Sequence, residues 1–137
     1  MHRMDLEALV LDHGGVLDDP GNGDGAEPPV LAAARWLRAR GIRTALVSNA
    51  DSVAEAASDA FDAVLLSGDL GIAKPDPAIY RLAADRLGVD PSRCVFVDDL
   101  RTNVDGAVAT GMVGIHHRDV AATRYELEVL FDLELPL

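Results

Sequence analysis

The chain has 137 residues, a length that suits one domain and lets that domain bury most of the apolar surface its unfolded form exposes. Apolar residues make up 49% and aromatics only 4%, so the core has to be built from Leu, Val, Ala and Ile. Twenty-three acidic against twelve basic residues give a net charge of −11, a field that repels nucleic acids and anionic membranes in the absence of a basic cluster, and there is none.

In chain order, Met1 to Leu6 lacks the apolar stretch of a secretory signal, and no later segment approaches the ~18 apolar residues of a membrane span, so a cytoplasmic location is expected. Leu6 to Asp12 (LEALVLD) is an apolar run that ends in a carboxylate and a Gly-Gly pair, the pattern of a buried strand entering a tight loop. Asp18 to Pro29, rich in Gly, Pro and acid, reads as a mobile loop. Pro29 to Arg40 has helical periodicity, Thr44 to Asn49 reads as a strand, Ser52 to Ala60 as a helix and Ala63 to Ser67 as a strand.

Pro77 to Leu87 is a helix with Asp76 as N-cap, proline in its first turn and Gly88 just past its last apolar position. Cys94 to Asp99 (CVFVDD) is a strand. Its cysteine is single, which excludes an intrachain disulfide and a cysteine-pair metal site and leaves it a place in the core. Val104 to Thr110 reads as a helix, Val113 to His117 as the fifth strand and Val120 to Phe131 as the closing helix. Strands that alternate with helices predict right-handed crossovers and a parallel five-stranded sheet with helices on both faces. In such sheets, reactive groups collect at the carboxyl ends of the strands, where Asp12, Ser48, Asp98 and Asp99 all stand.

Those residues supply what phosphate-ester chemistry needs without cysteine or histidine. Asp12 offers an ionised carboxylate at the end of the first strand, suited to act as a nucleophile. Ser48 and the Asn49 amide are groups that can hold phosphoryl oxygens. Lys74 precedes the Pro77 helix and can neutralise both nucleophile and phosphoryl group, aided by the helix dipole. Asp98 and Asp99 form a hard oxygen site suited to Mg²⁺. Each residue has a plainer reading as well: a strand-end turn for Asp12, a helix cap for Ser48, a solvated lysine for Lys74, a capping acid plus a solvated one for Asp98 and Asp99.

Four segments, LVLDHGGVL (9–17), ALVSNA (45–50), GIAKPDPAIY (71–80) and VFVDDLRTNVDGAVATGM (95–112), resemble in order the four motifs of the haloacid dehalogenase-like superfamily, and the likeness covers nearly the whole chain. The resemblance implies a Rossmann-like three-layer α/β core and a phosphatase-like hydrolase. Asp12 would form an aspartyl-phosphate, Ser48 would bind phosphate and Lys74 would act as the charge clamp. Asp99 would be the main Mg²⁺ ligand, with Asp98 beside it either on the cation or one step behind. Asp12 and the Gly14 carbonyl would complete the metal contacts, and Asn103 occupies the later polar position of the fourth motif.

Two departures stand out. Most family phosphatases carry a second acid two residues after the nucleophile, and here that residue is Gly14. General acid–base help is typically worth ~10²–10⁴-fold, so a slow or narrow phosphatase is expected, with a catalytically weak phosphate-binding domain as the alternative. A DxGGV variant nonetheless resembles a branch that includes sugar-phosphate phosphatase relatives and domains related to the amino-terminal part of soluble epoxide hydrolase. The dehalogenase branch instead has an aromatic residue at this position and a serine-rich fourth motif, which the Asp98–Asp99 pair does not match.

The second departure is size: only Asp18 to Arg43 and Asp51 to Ser67 fill the gaps where a cap domain is usually inserted, so residues 1–137 are read as a capless core with an open site. A phosphorylated small molecule or macromolecule is the expected partner, and a homo-oligomer is compatible with the sequence. His116 and His117 close an outer strand and read as surface or packing residues. His13 is expected to point away from the site, Asp18 or Asp19 offer a replacement acid from a bent loop, and Arg101 either meets substrate or offsets nearby acids.

Overall fold

The structure is a computed structural model that describes residues 5–21, 27–49 and 59–136. Its elements are β1 (Ala8–Leu11), α1 (Pro29–Ala39), β2 (Arg43–Ser48), β3 (Ala63–Leu66), α2 (Ser67–Leu70), α3 (Pro77–Leu87), β4 (Cys94–Asp98), α4 (Arg101–Ala109), β5 (Val113–His116) and α5 (Val120–Phe131). The five strands form one parallel sheet in the order β3-β2-β1-β4-β5. The sheet is the parallel α/β arrangement read from the sequence. The expected helix from Ser52 and the centre of the Asp18–Pro29 loop lie outside the described residues.

Strand alternation divides the core in two. Leu9, Leu11, Leu46, Val95 and Val97 face α1 and α5, where Leu37 and Leu127 are buried against them. Ala8, Val10, Ala45, Val47 and Phe96 face the other layer, where Ile79, Tyr80 and Ala83 of α3 and Ala107 of α4 complete the packing. Both faces are covered, which is why these strands carry no polar alternation. Cys94 is fully buried in the second layer, and burial pushes its thiol up to about 12. Leu127 is buried and Leu130 and Phe131 pack on the first layer, so this face of α5 covers the sheet. No helix among the described residues is long and apolar enough to cross a membrane.

The caps of α3 are as the sequence indicates: Asp76 accepts from the Ala78 N–H at 2.9 Å, and Gly88 adopts a left-handed φ of 68°. Other boundaries differ for tertiary reasons. α4 begins at Arg101 rather than Val104, since its apolar periodicity starts one turn late. Its start is set by Asp98, whose Oδ1 accepts the Leu100 N–H at 2.9 Å from outside the helix. β1 and β4 stop at Leu11 and Asp98, one residue short of the expected ends, so Asp12 and Asp99 lie in the loops beyond. Ser67, read as a strand end, starts the single turn of α2.

The register brings the site together. Leu11 pairs with Val97 and Leu46, and Asp98 pairs with His116, so the carboxyl ends of β1, β2, β4 and β5 finish at nearly one level. β1 and β4 are adjacent, and chain connections leave them in opposite directions. The crevice between them is where an open α/β sheet binds its ligand.

Candidate active site

Asp12 leaves β1 with an extended backbone, its N–H bonded to the Val97 carbonyl of β4 at 3.0 Å. A tight turn over His13–Leu17 follows, in which Gly15 has a φ of 80°. The left-handed backbone favours glycine at Gly15, and a Cβ there would also displace the Asp99 carboxylate. Gly14 is the opposite case, because a Cβ there meets nothing within 4 Å. The missing acid of the first motif therefore leaves open space, not a filled one.

Lys74 arrives between α2 and α3, in a loop held to the end of β2. The Asn49 carboxamide accepts from the Lys74 N–H at 2.9 Å and donates to its carbonyl at 3.1 Å. This role for Asn49 was not foreseen: its side chain grips the lysine loop, whereas the sequence suggested only a phosphoryl contact. On the other side, α4 presses against the same loop at Gly106, where a Cβ would lie 2.8 Å from the Pro75 Cβ and 3.0 Å from the Tyr80 hydroxyl. The Lys74 side chain, 1% exposed, is thereby fixed with Nζ 2.6 Å from Asp12 Oδ1 and 2.8 Å from Asp98 Oδ2.

The neighbouring acids of the β4 end behave differently. Asp98 is fully buried and accepts from Lys74, from Leu100 and, at 3.1 Å, from the Asn103 carboxamide. Asn103 is itself buried, and its backbone carbonyl accepts the Tyr80 hydroxyl at 2.6 Å. Asp98 thus anchors the lysine and the start of α4, while Asp99 is the more accessible acid. Burial, with Asp98 next to it, raises the Asp99 carboxyl above its ordinary value. Burial likewise pushes Asp12 from 3.8 up to about 6, against the pull of Lys74.

Among the described residues, Asp12, Asp98 and Asp99 bring carboxylate oxygens within 4.8 Å of one another. Three acids against one buried ammonium leave an anionic surplus, and an all-oxygen donor set of this kind fits a hard divalent cation such as Mg²⁺.

Ser48 is buried at the end of β2. Arg101 is exposed and pairs with Asp105 at 3.3 Å. Asp18 accepts the Gly15 N–H at 2.7 Å, so it sits against the His13–Leu17 turn. Asp19 does not reach toward the acids through its bonded oxygens: it accepts from Gly21 at 3.0 Å and meets His117 at 2.7 Å. His117 is buried and hydrogen-bonded on both nitrogens, and His116 meets the Asp99 carbonyl, so neither is a simple surface residue. Nothing in their local sequence signals these long-range bonds.

A sequence model of haloacid dehalogenase-like hydrolases matches residues 22–111, a span that includes Ser48, Lys74, Asp98, Asp99 and Asn103. The bifunctional epoxide hydrolase 2 of Rattus norvegicus is 34% identical over 119 residues, which cover 79% of this chain and 22% of that protein. The chain therefore spans about a fifth of that relative's length. Phosphatase MT3486 of Mycobacterium tuberculosis is 36% identical over 93 residues, 62% of this chain and 43% of that one. A crystal structure of an uncharacterised protein from Corynebacterium glutamicum superimposes with a TM-score of 0.79 at 33% identity, covering 96% of this chain and 99% of the other.

Proposed function

The chain belongs to the haloacid dehalogenase-like hydrolase family, and on that premise we propose that it is a Mg²⁺-dependent phosphohydrolase with Asp12 as nucleophile. The observation that carries this reading is Lys74, a buried ammonium bridging Asp12 and Asp98 beside a third carboxylate, Asp99. A buried lysine shared by two acids holds the nucleophile's carboxylate in one orientation and leaves a positive charge where a phosphoryl group would arrive. Phosphatases among the relatives support the same chemistry.

Asp12, Asp99 and the Gly14 carbonyl would hold the cation, with Asp98 bonded behind them to Lys74, Leu100 and Asn103. When bound, Mg²⁺ supplies charge neutralisation for the phosphoryl oxygens and the attacking carboxylate. The Asp12 carboxylate forms a bond to phosphorus as the bond to the ester oxygen breaks, which gives an aspartyl-phosphate and an alkoxide. Lys74 stays within reach of Asp12 and offsets the transferred charge, and Ser48 and Asn49 would contribute donors from the end of β2. The alkoxide takes a proton from solvent, and water then attacks phosphorus, breaking its bond to Asp12, releasing inorganic phosphate and restoring the carboxylate.

Gly14 bears on both steps, since no side chain there can protonate the departing oxygen or activate water. Ester oxygens that leave as stable anions need no acid, so aryl phosphates should turn over far better than alkyl phosphates. The test is hydrolysis of an aryl phosphate with and without Mg²⁺, for the parent chain and for Asp12→Asn. Activity that needs both the metal and Asp12 supports the proposal. If every combination matches the blank while Mg²⁺ still binds, the chain is better read as a phosphate-binding domain, the alternative that the absent acid favours.

A further inference from the structure

The two histidines at the end of β5 make contacts that the reading above does not use. His116 Nε2 lies 2.9 Å from the backbone carbonyl of Asp99, and because a carbonyl only accepts, that nitrogen is the donor. His117 is 3% exposed, and its backbone N–H donates to the Asp98 carbonyl at 2.9 Å. Its ring is held from both sides, with Nε2 2.7 Å from Asp19 Oδ2 and Nδ1 2.6 Å from the Thr123 hydroxyl. A carboxylate also only accepts, so Nε2 carries a proton here, and Thr123, 1% exposed, fixes the ring from α5.

Packing alone does not call for a buried ring bonded at both nitrogens. The two partners that matter lie on different loops. Asp19 belongs to the loop that follows the Asp12–Gly15 turn, and Asp99 belongs to the loop after β4. The turn before Asp19 approaches the Asp99 loop at Gly15, where an added Cβ would overlap the Asp99 carboxylate. β5 is an edge strand of the sheet beside β4, and the residues at its carboxyl end, His116 and His117, contact both loops.

We infer that His116, His117 and Thr123 form a brace of positioning residues that sets the separation of the Asp12–Gly14 turn and the Asp99 loop, and through it the affinity for Mg²⁺. The inference rests on the metal reading given above. It assigns no chemistry to either ring. Each holds backbone or carboxylate groups behind the oxygens that would meet the cation. Loss of such a supporting partner typically weakens metal binding by about 10–100-fold.

The test compares Thr123→Val, which keeps the side-chain volume and loses the hydroxyl, with Thr123→Ser, which keeps the hydroxyl. Mg²⁺ affinity is read by calorimetry on the whole chain, and amide exchange at Asp19 and Gly21 is read without metal. Thr123→Val should weaken Mg²⁺ by about tenfold, the low end of that range, and speed exchange at both amides, while Thr123→Ser stays near the parent. His116→Leu should weaken Mg²⁺ similarly. Thr110→Val, which loses a hydroxyl bond at the far end of α4, should change neither readout. Unchanged affinity and exchange in both Thr123→Val and His116→Leu would overturn the brace. If the parent chain itself binds no Mg²⁺, the metal reading fails, and with it the brace's stated purpose; the amide exchange then shows separately whether the ring holds the loop.

Discussion

Neutralising the proposed nucleophile should make the metal-free protein more stable. Asp12 is 8% exposed and sits in a cluster of three acids around one ammonium, and burial, with a smaller push from Asp98, disfavours its ionised form by more than Lys74 favours it. The gap between 3.8 and about 6 corresponds, at 1.36 kcal/mol per pKa unit, to about 3 kcal/mol of destabilisation at neutral pH. Asp12→Asn keeps the shape and removes the charge, so it should raise stability by about that amount, or roughly 10 °C in melting temperature for a domain of this size.

The raised carboxyl also fixes the pH dependence. The penalty is full above about 6, fades as falling pH protonates the folded state first, and is absent below 3.8, where both states are protonated. Thermal melts of parent and variant in EDTA, from about pH 7.5 down to about pH 4, should therefore converge at the acid end. Excess Mg²⁺ should reverse the order, because a cation that binds only the folded parent stabilises it by mass action. An Asp12→Asn variant that melts below the parent in EDTA at neutral pH, or a gap that stays constant to acid pH, would refute the argument.

Other expectations follow from the same contacts. Gly14→Asp enters open space and should raise turnover by ~10²–10⁴-fold while flattening the dependence on leaving-group acidity, measured across a series of aryl and alkyl phosphates. Lys74→Ala strips the buried acids of their counter-charge and should cost about 3–5 kcal/mol in urea denaturation of the metal-free chain. Gly106→Ala forces α4 away from Pro75 and Tyr80 and should cost about 1–3 kcal/mol, with a lower hydrolysis rate as Lys74 shifts. Asp62 has the opposite pH sign to Asp12: burial pushes its carboxyl up, yet the Thr44 N–H and Arg38, each at 2.9 Å, hold it below its ordinary value. Asp62→Asn should be destabilising at neutral pH, and denaturation titrations should show the difference shrinking as pH falls below 3.8.

The sequence by itself determined the layers and the chemistry on offer. Unbroken apolar runs such as VFV can be stable only as strands covered on both faces, and the alternation of strand and helix then leaves a parallel sheet with its reactive ends on one side. Local signals were equally legible where the physics is local: Asp76 and Gly88 bound α3 because capping and left-handed backbone depend on a few adjacent atoms. Residue types also announced an oxygen-rich site with a lysine, and the comparisons place the chain in the family that its motifs resembled.

Only the tertiary structure decided how those groups divide their work. Asp98 and Asp99 are adjacent and identical in sequence, yet one is buried under three donors and the other stays accessible, because the start of α4 and Lys74 both fold onto the first. Asn49 turned out to clamp Lys74 from 25 residues away, and His117 to reach Asp19 across 98 residues. Bonds of that range leave no periodic or nearest-neighbour trace, since their geometry exists only after the parallel register has set β1, β2, β4 and β5 side by side.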